Sequence, residues 1–363
     1  MTTFSSLGLS SHILKTLEAE GYDTPTPIQA ECIPPALAGQ DLLGCAQTGT
    51  GKTAAFSLPL IDRLMARRPN GKGAQRHVRA LVLAPTRELA AQIDESLRTY
   101  GRGTGLRAAI IYGGVKQGPQ VRQLQSGVDV IVATPGRLLD LMEQRYVDLR
   151  SVEMLVLDEA DRMLDMGFIE PIRRIARALP DKRQTLLFSA TMAPKIRSLA
   201  ETMQKNPVSV SVARVASAAP KIEQSLYHVA GPDKTRLLTH LLQVGQVERS
   251  VVFTKTKRGA DKLAEMLMRG GVTASAIHGN RSQSQRERAL AAFRNGRFRV
   301  LVATDVAARG LDVDGITCVF NYNMPMEAEA YVHRIGRTGR AGATGRIGEQ
   351  LTAVTLPCWD YLI

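Results

Sequence analysis

The residues with the clearest chemical potential form a glycine-rich stretch near the start of the chain, AQTGTGKT at residues 46–53. It follows the strand-like DLLGC and precedes an apolar, helix-like stretch, which is the strand–turn–helix context of a phosphate-binding loop. Backbone N–H groups in such turns bind phosphate oxygens, and the helix N-terminus adds its positive end. The sequence therefore predicts a nucleoside triphosphate site formed by Thr48, Gly49, Thr50, Gly51, Lys52 and Thr53.

An acidic cluster at residues 158–161 ends the apolar stretch MLVL. An aspartate that follows a buried strand, downstream of a phosphate-binding loop, is suited to hold Mg²⁺. We expect Asp158 and Thr53 to be the Mg²⁺ ligands, Lys52 to reach the β- and γ-phosphates, and Glu159 to orient and deprotonate the attacking water. An acidic helix N-terminus without a catalytic role has the same composition and remains an alternative.

Three arginines recur at three-residue spacing in HRIGRTGR, after a predicted helix: Arg334, Arg337 and Arg340. A solvated basic face would explain them. Alternatively, Arg337 and Arg340 are arginine fingers that neutralise charge on the γ-phosphate from a second domain. Hydrolysis would then depend on closure of the two domains.

Short apolar stretches alternate with helix-like ones and end in small or polar residues, as buried parallel strands do. Such strands are predicted within residues 80–85, 108–114, 128–135, 154–161, 185–191, 250–256, 273–279, 299–305 and 318–325. A segment rich in Ala, Ser and Val interrupts this pattern after residue 206. The sequence thus predicts two tandem α/β domains, 1–207 and 222–363, joined by a linker at 208–221.

Composition limits the class of partner. The chain carries 47 Lys and Arg against 34 Asp and Glu, a net charge of +13, which favours a polyanion. Aromatic residues make up only 5%, so contacts to a nucleic-acid backbone should dominate over base stacking. No apolar stretch reaches the ~18 residues of a membrane helix, and the four cysteines lack metal-site spacing. We expect a cytoplasmic protein with no membrane partner.

Together these motifs resemble the DEAD-box RNA helicases of superfamily two, most closely the bacterial RhlE-like branch, over residues 4–346. The resemblance implies two tandem RecA-like domains, each a mostly parallel sheet with helices on both faces. It implies an RNA-dependent ATPase that uses ATP and Mg²⁺ to unwind short RNA duplexes locally or remodel RNA–protein complexes. Single-stranded RNA and short duplexes are the implied partners, without specificity for DNA, and ribosomal or RNA-decay complexes are candidate partners.

The resemblance also assigns an adenine-reading loop, GYDTPTPIQ at residues 21–29. Gln29 is expected to hydrogen-bond the adenine edge, Tyr22 to lie against the base, and Phe4 to support the loop. In the second domain, Asp312 is expected to contact the ribose of ATP.

A coupling motif is assigned in the same way to the SAT tripeptide that contains Ser189 and Thr191. It is expected to bond with Asp161 and with His333 of the second domain. Without the resemblance, these hydroxyls at a strand end would be ordinary capping groups.

Contacts to the RNA backbone complete the resemblance, because hydroxyls, backbone amides and arginines are suitable groups for phosphates. In the first domain they are Pro85, Thr86, Arg87, Gly114, Thr134, Pro135 and Arg137. In the second domain they are Thr254, Arg288 and Thr304, with Lys255 and Gln285 in the same motifs.

The sequence departs from the family at two places. Asn323 stands where an acidic residue is usual, which would alter a contact near the closure interface without abolishing ATP binding. Beyond Gly345 the sequence fits the family poorly: AVTL at 353–356 is expected to supply a strand, but the usual final helix is missing. This pattern predicts a truncated or divergent end and a less stable second domain.

Two other functions use the same pattern and stay open. A non-unwinding RNA clamp would carry these motifs and differ only in slow product release. A DNA translocase of the same superfamily would share the phosphate-binding loop, although the acidic cluster and Gln29 argue against it. An inactive fragment would result if the divergent end kept the second domain from folding.

Overall fold

The computed structural model describes residues 2–46, 49–66, 76–212, 223–245, 247–308, 315–325, 328–335 and 352–355. The chain divides into two compact units, Met1–Ala213 and Arg214–Ile363. Each unit contains one β-sheet whose strand pairs are all parallel, which confirms the predicted fold class. Within the described residues, no helix has the length and apolar character needed to cross a lipid bilayer.

The first unit has seven described strands in the order β3-β4-β2-β5-β6-β1-β7. The strands are β1 (Leu42–Cys45), β2 (Ala80–Leu83), β3 (Ala108–Ile111), β4 (Val130–Ala133), β5 (Met154–Leu157), β6 (Gln184–Ser189) and β7 (Val208–Ser211). The helices are α1 (Ser11–Ala19), α2 (Pro27–Leu37), α3 (Lys52–Ala66), α4 (Arg87–Tyr100), α5 (Gly118–Gln125), α6 (Pro135–Glu143), α7 (Ala160–Asp165), α8 (Ile169–Arg177) and α9 (Pro194–Met203).

Apolar side chains cover both faces of this sheet. Alternate residues of a strand point to opposite faces, and here they enter two separate clusters: Val82 lies in one, and its neighbours Leu81 and Leu83 lie in the other. The strands are therefore continuous apolar runs, as expected of a parallel sheet covered by helices on both sides.

The second unit has six described strands in the order β10-β11-β9-β12-β13-β8. The strands are β8 (Glu223–Leu226), β9 (Ser250–Phe253), β10 (Ala274–Ile277), β11 (Val300–Ala303), β12 (Cys318–Asn321) and β13 (Thr352–Thr355). The helices are α10 (Lys234–Val244), α11 (Lys257–Arg269), α12 (Gln283–Arg294), α13 (Asp305–Ala308) and α14 (Ala328–Ile335).

The divergent end of the chain contributes to this second sheet. The strand expected at 353–356 is present as β13, which lies between β12 and β8 and pairs with both. The sequence predicts no final helix after this strand, and residues 356–363 lie outside the described residues.

The predicted linker at 208–221 begins inside the first sheet. Residues 208–211 form β7, which pairs with β1, because their alternating Val and Ser allow Val210 to be buried at the sheet edge. Residues 213–221 lie outside the described residues, so the predicted domain boundaries stay a prediction.

The packing of β1 against β6 generates a stability prediction. A Cβ atom at Gly44 would lie 2.7 Å from two ring carbons of the buried Phe188, whose ring is also 5.5 Å from that of Phe56. Gly44→Ala should lower the free energy of unfolding by about 1–3 kcal/mol through overpacking. Gly113→Ala is the control for urea unfolding, because its Cβ would meet nothing within 4 Å. Equal stability of the two variants would contradict this account.

Candidate active site

The phosphate-binding loop has the predicted strand–turn–helix context. It lies between β1, which ends at Cys45, and α3, which begins at Lys52. Gly49 and Gly51 have φ angles of 82° and 92°, a left-handed conformation that glycine adopts without strain. Thr50 and Thr53 are half-buried, and Thr48 lies outside the described residues.

Lys52 is buried, and its ammonium group is directed back at the loop. Nζ donates a hydrogen bond to the carbonyl oxygen of Ala46 at 2.6 Å. The side chain thus places a positive charge inside the turn whose N–H groups are suited to phosphate.

Gln29 connects the predicted adenine-reading loop to the phosphate-binding loop. Its Oε1 accepts a hydrogen bond from the Thr26 N–H at 2.9 Å, and its Nε2 donates to the Gly51 carbonyl at 3.2 Å. A Cβ at Gly51 would lie 2.5 Å from this Nε2 atom, and the φ of 92° there also favours glycine. The Thr-x-x-Gln spacing at the start of α2 is typical of a helix capping box, a role of Gln29 that was not predicted from the sequence. Adenine reading by Gln29 stays a prediction.

Tyr22 is the exposed aromatic residue of the same loop. Its ring meets that of Tyr100, the last residue of α4, edge to face with centroids 6.1 Å apart. The Tyr100 hydroxyl donates to the Tyr22 hydroxyl at 3.4 Å, and burial raises the pKa of Tyr100. Phe4 is buried in the cluster that includes α2, consistent with its expected supporting place. Tyr100 had no signal in the sequence.

Asp158 follows β5 and is buried. Its N–H donates to the Leu83 carbonyl at 3.0 Å, and its Oδ1 accepts from the Glu159 N–H at 2.9 Å. Burial raises the pKa of the Asp158 carboxyl to about 6, while the Lys52 ammonium acts in the opposite direction. A carboxylate deprived of water in this way is stabilised by a nearby cation.

This arrangement fits a Mg²⁺ ion that is shared with a nucleotide. Among the described residues, no three His, Cys, Asp or Glu side chains cluster as a metal site. Mg²⁺ is usually bound through one or two carboxylates plus substrate phosphates rather than by an all-protein cage. The buried Asp158 carboxylate and the half-buried Thr53 hydroxyl match that requirement.

Glu159 has an unusual backbone and a close cationic neighbour. It precedes α7 with φ 51° and ψ 52°, the left-handed conformation that costs a non-glycine residue about 1 kcal/mol or more. Its buried Oε2 accepts a hydrogen bond from Arg162 Nη1 at 2.5 Å. Arg162 was not singled out from the sequence, although its i,i+3 spacing from Glu159 was a signal.

Asp161 connects the acidic cluster to the coupling motif. Its Oδ2 accepts hydrogen bonds from the Ala190 and Thr191 N–H groups, both at 3.0 Å. Ser189 is the buried last residue of β6, and its Oγ accepts from the Thr191 N–H at 3.4 Å. The contact expected with Asp161 is thus present. For His333 the structure describes the backbone, in α14, but not the side chain.

The predicted RNA contacts of the first unit lie at the carboxyl ends of β2, β3 and β4. Pro85 and Thr86 follow β2, and the Thr86 Oγ1 caps α4 by accepting from the Leu89 N–H at 3.3 Å. A Cβ at Gly114 would lie 2.2–2.4 Å from the Arg87 guanidinium, so these two segments meet at a position whose φ of 76° favours glycine.

A third segment of the predicted RNA set starts α6. Thr134 precedes this helix, and Pro135 is its first residue. Arg137 Nη1 and Nη2 donate to the Val115 carbonyl at 3.3 and 3.4 Å, next to Gly114. The N-termini of α4 and α6 therefore lie at the same edge of the sheet, where their positive ends suit phosphates.

In the second unit, Thr254 and Thr304 follow the paired strands β9 and β11, and both are buried. Arg288 is exposed on α12, with its Nε donating to the Ser284 carbonyl at 3.2 Å. Gln285 caps the same helix, because its Oε1 accepts from the Ser282 N–H at 2.9 Å. Asn323, the departure from the family pattern, accepts from the Lys255 N–H through Oδ1 at 3.1 Å.

Arg334 corrects the interpretation of three equivalent arginines. It lies within α14 and is buried, with Nε and Nη2 donating to the two Asp305 carboxylate oxygens at 2.6 and 2.7 Å. Nη1 donates to Asn321 Oδ1 at 3.0 Å and to the Asn323 carbonyl at 2.6 Å, and the guanidinium covers the Phe253 ring. Arg334 is therefore neither a solvated basic residue nor an arginine finger. Arg337, Arg340 and Asp312 lie outside the described residues.

Comparisons with known proteins agree with this geometry. The DEAD/DEAH box helicase family model matches residues 26–199, and the helicase conserved C-terminal domain model matches residues 233–342. The DEAD-box ATP-dependent RNA helicase CshA of Geobacillus kaustophilus is 48% identical over 345 residues, 95% of this chain and 72% of its own length. CshA of Bacillus cereus is 47% identical over 345 residues. This match covers 95% of the chain but only 64% of the length of that relative.

Solved structures are similar over almost the whole chain. Saccharomyces cerevisiae Dbp5 bound to RNA and ADP BeF3 has a TM-score of 0.83 and 34% identity, covering 98% of this chain and 89% of that chain. A DEAD box protein from the hyperthermophile Methanococcus jannaschii has a TM-score of 0.55 and 37% identity, covering 99% and 94%.

The Arg334 network generates a stability prediction for the second unit. Arg334→Gln removes the bidentate partner of the Asp305 carboxylate. Because the Asp305 side chain is 34% exposed, the loss should be smaller than the about 3–5 kcal/mol of breaking a fully buried charge pair. Arg269→Gln is the control, because Arg269 is exposed and pairs with Glu265 on the surface of α11 at 2.6 Å. Thermal unfolding should show a large loss for the first variant and almost none for the second. Similar melting temperatures for both would contradict the role of Arg334.

Proposed function

Because this chain belongs to the DEAD-box ATP-dependent RNA helicases, we propose that it is an RNA-dependent ATPase that locally unwinds short RNA duplexes or remodels RNA–protein complexes. One observation carries the proposal: the nucleotide and coupling motifs share hydrogen bonds at a single sheet edge. Ala46 of the phosphate-binding loop donates its N–H to the Ser189 carbonyl at 3.0 Å, and Asp161 accepts from the Thr191 N–H. These bonds connect the phosphate-binding loop and the acidic cluster to the SAT motif.

The proposed reaction is transfer of the γ-phosphoryl group of ATP to water. The water oxygen bonds to the γ-phosphorus, the bond to the β–γ bridging oxygen breaks, and ADP leaves with that electron pair. Glu159 takes the proton of the attacking water. Lys52 binds the β- and γ-phosphates. Asp158 and Thr53 would hold Mg²⁺, which would supply further positive charge for the phosphates.

The RNA strand is proposed to bind through its backbone. Support comes from the two helix N-termini and Arg137 in the first unit, all at the carboxyl ends of neighbouring strands. In the second unit, Thr254, Arg288 and Thr304 are the proposed contacts. Such contacts position an RNA strand without reading its sequence.

Several finer assignments are part of the same proposal. One is membership of the RhlE-like branch, although the relatives described above carry the name CshA. The others are the arginine fingers Arg337 and Arg340, and recognition of adenine and ribose by Gln29, Tyr22 and Asp312. Cytoplasmic location and action on ribosomal or RNA-decay complexes also stay predictions.

The decisive measurement for the activity is the ATPase rate with no nucleic acid, with single-stranded RNA and with matched single-stranded DNA, at low and moderate salt. RNA should stimulate hydrolysis strongly and DNA should not. Because backbone binding releases counterions, the RNA concentration for half-stimulation should rise with salt. Equal stimulation by DNA would favour the translocase. Retention of RNA after a competitor chase, with slow turnover, would favour the clamp.

Two variants separate binding of ATP from its hydrolysis. Lys52→Ala should abolish ATPase activity and weaken binding of a fluorescent ATP analogue, because the buried ammonium contacts the phosphates. Arg337→Ala should bind the analogue nearly as wild type does while kcat falls about 10³-fold, the scale of a lost arginine finger. An equal loss of nucleotide affinity in both variants would refute the finger role.

A further inference from the structure

The acidic cluster contains one contact that the reaction described above does not use. Glu159 Oε2 accepts a hydrogen bond from Arg162 Nη1 at 2.5 Å, and both side chains are about nine-tenths buried. They stand three residues apart, across the first turn of α7. The partner of Arg162 is thus the carboxylate proposed to accept the proton of the attacking water.

Because the pair is buried, the attraction between its charges is stronger than in a surface ion pair. Exposed ion pairs of the same spacing lose most of their attraction to solvent screening. Between buried groups the attraction is much less screened, and neither side chain can turn to water without disturbing the packing. The contact therefore limits the orientations open to the Glu159 carboxylate.

The three acids of the cluster are held by different kinds of donor. Asp158 accepts from the Glu159 N–H, and Asp161 accepts from the N–H groups of Ala190 and Thr191. These are backbone donors with fixed positions. Glu159 has the longest side chain of the three, with more rotatable bonds to restrict, and one of the donors to it is the Arg162 side chain.

We propose that Arg162 is a positioning residue for ATP hydrolysis, which holds the Glu159 carboxylate in the orientation that accepts the proton of the attacking water. The inference rests on the proposed ATPase function. Arg162 acts through Glu159 and needs no contact with the nucleotide. General bases lose efficiency steeply when they are displaced by about 1 Å, so the contact should affect kcat rather than substrate binding.

The test is a double-mutant cycle that combines Arg162→Gln with Glu159→Gln. Arg162→Gln should lower kcat about 10- to 100-fold, with little change in the KM for ATP or RNA. Arg162→Lys, which keeps the charge, should recover part of the loss. In the Glu159→Gln background, adding Arg162→Gln should cause no further loss, because two residues that act as one unit are not additive.

The matched control is Arg173→Gln. Arg173 pairs with Glu170 at the same i,i+3 spacing, at 2.7 Å, but both side chains are exposed on α8. This variant should keep wild-type kcat, KM and melting temperature. It separates the effect of burying the pair from that of losing one arginine.

Several results would overturn the proposal: wild-type or increased kcat in Arg162→Gln, or additive losses in the double variant. A fall in kcat that is explained by a lower melting temperature would also overturn the proposal, because it would indicate a structural role only. If Arg162→Gln does not fold, Arg162→Lys decides, because a folded variant with wild-type kcat refutes positioning. Retention of activity by Glu159→Gln would refute the proposed function of Glu159 itself, which is a separate outcome.

Discussion

Asp158 stands at the end of a buried parallel strand, where its carboxylate has lost most of its water and lies in the field of the Lys52 ammonium. An isolated charge in such a place is costly, so the surrounding chain must supply donors or cations. The Glu159 N–H supplies one such donor, and the Lys52 ammonium supplies the cation. Bound nucleotide and metal would complete the charge balance that the protein leaves partly open.

The second unit meets the same requirement with protein groups alone. The buried Arg334 guanidinium pairs with the partly exposed Asp305 carboxylate at the carboxyl ends of β11 and β12, and Asn321 and Asn323 bond to the remaining guanidinium nitrogen. The first sheet therefore presents buried charge to a ligand, whereas the second neutralises its charge internally. This difference fits a chain in which the phosphate-binding loop occurs in only one of two similar sheets.

The sequence was sufficient to predict the fold class and the strands, because a parallel sheet covered on both faces requires continuous apolar runs. The strand–turn–helix context of residues 46–53 was also predictable from the residues, whereas the contact of Asp161 with the SAT motif was implied only by the family resemblance. The sequence did not separate Arg334 from Arg337 and Arg340, since equal spacing says nothing about which side chain is buried. Arg162 and Tyr100 were missed for a related reason: their importance comes from partners, and partners are set by packing. Strand β7 was assigned to a linker because short Val-Ser alternation also occurs in loops.

The position of β13 has a consequence for the order in which the second sheet forms during synthesis. Its earliest described strand, β8 at Glu223–Leu226, pairs with β13 at Thr352–Thr355, which leaves the ribosome much later. Until then, β8 has no neighbour among the described strands, and the open side of β12 offers unpaired N–H and C=O groups. Pairing between segments so distant in sequence is slow, and a nascent chain in this state is open to aggregation.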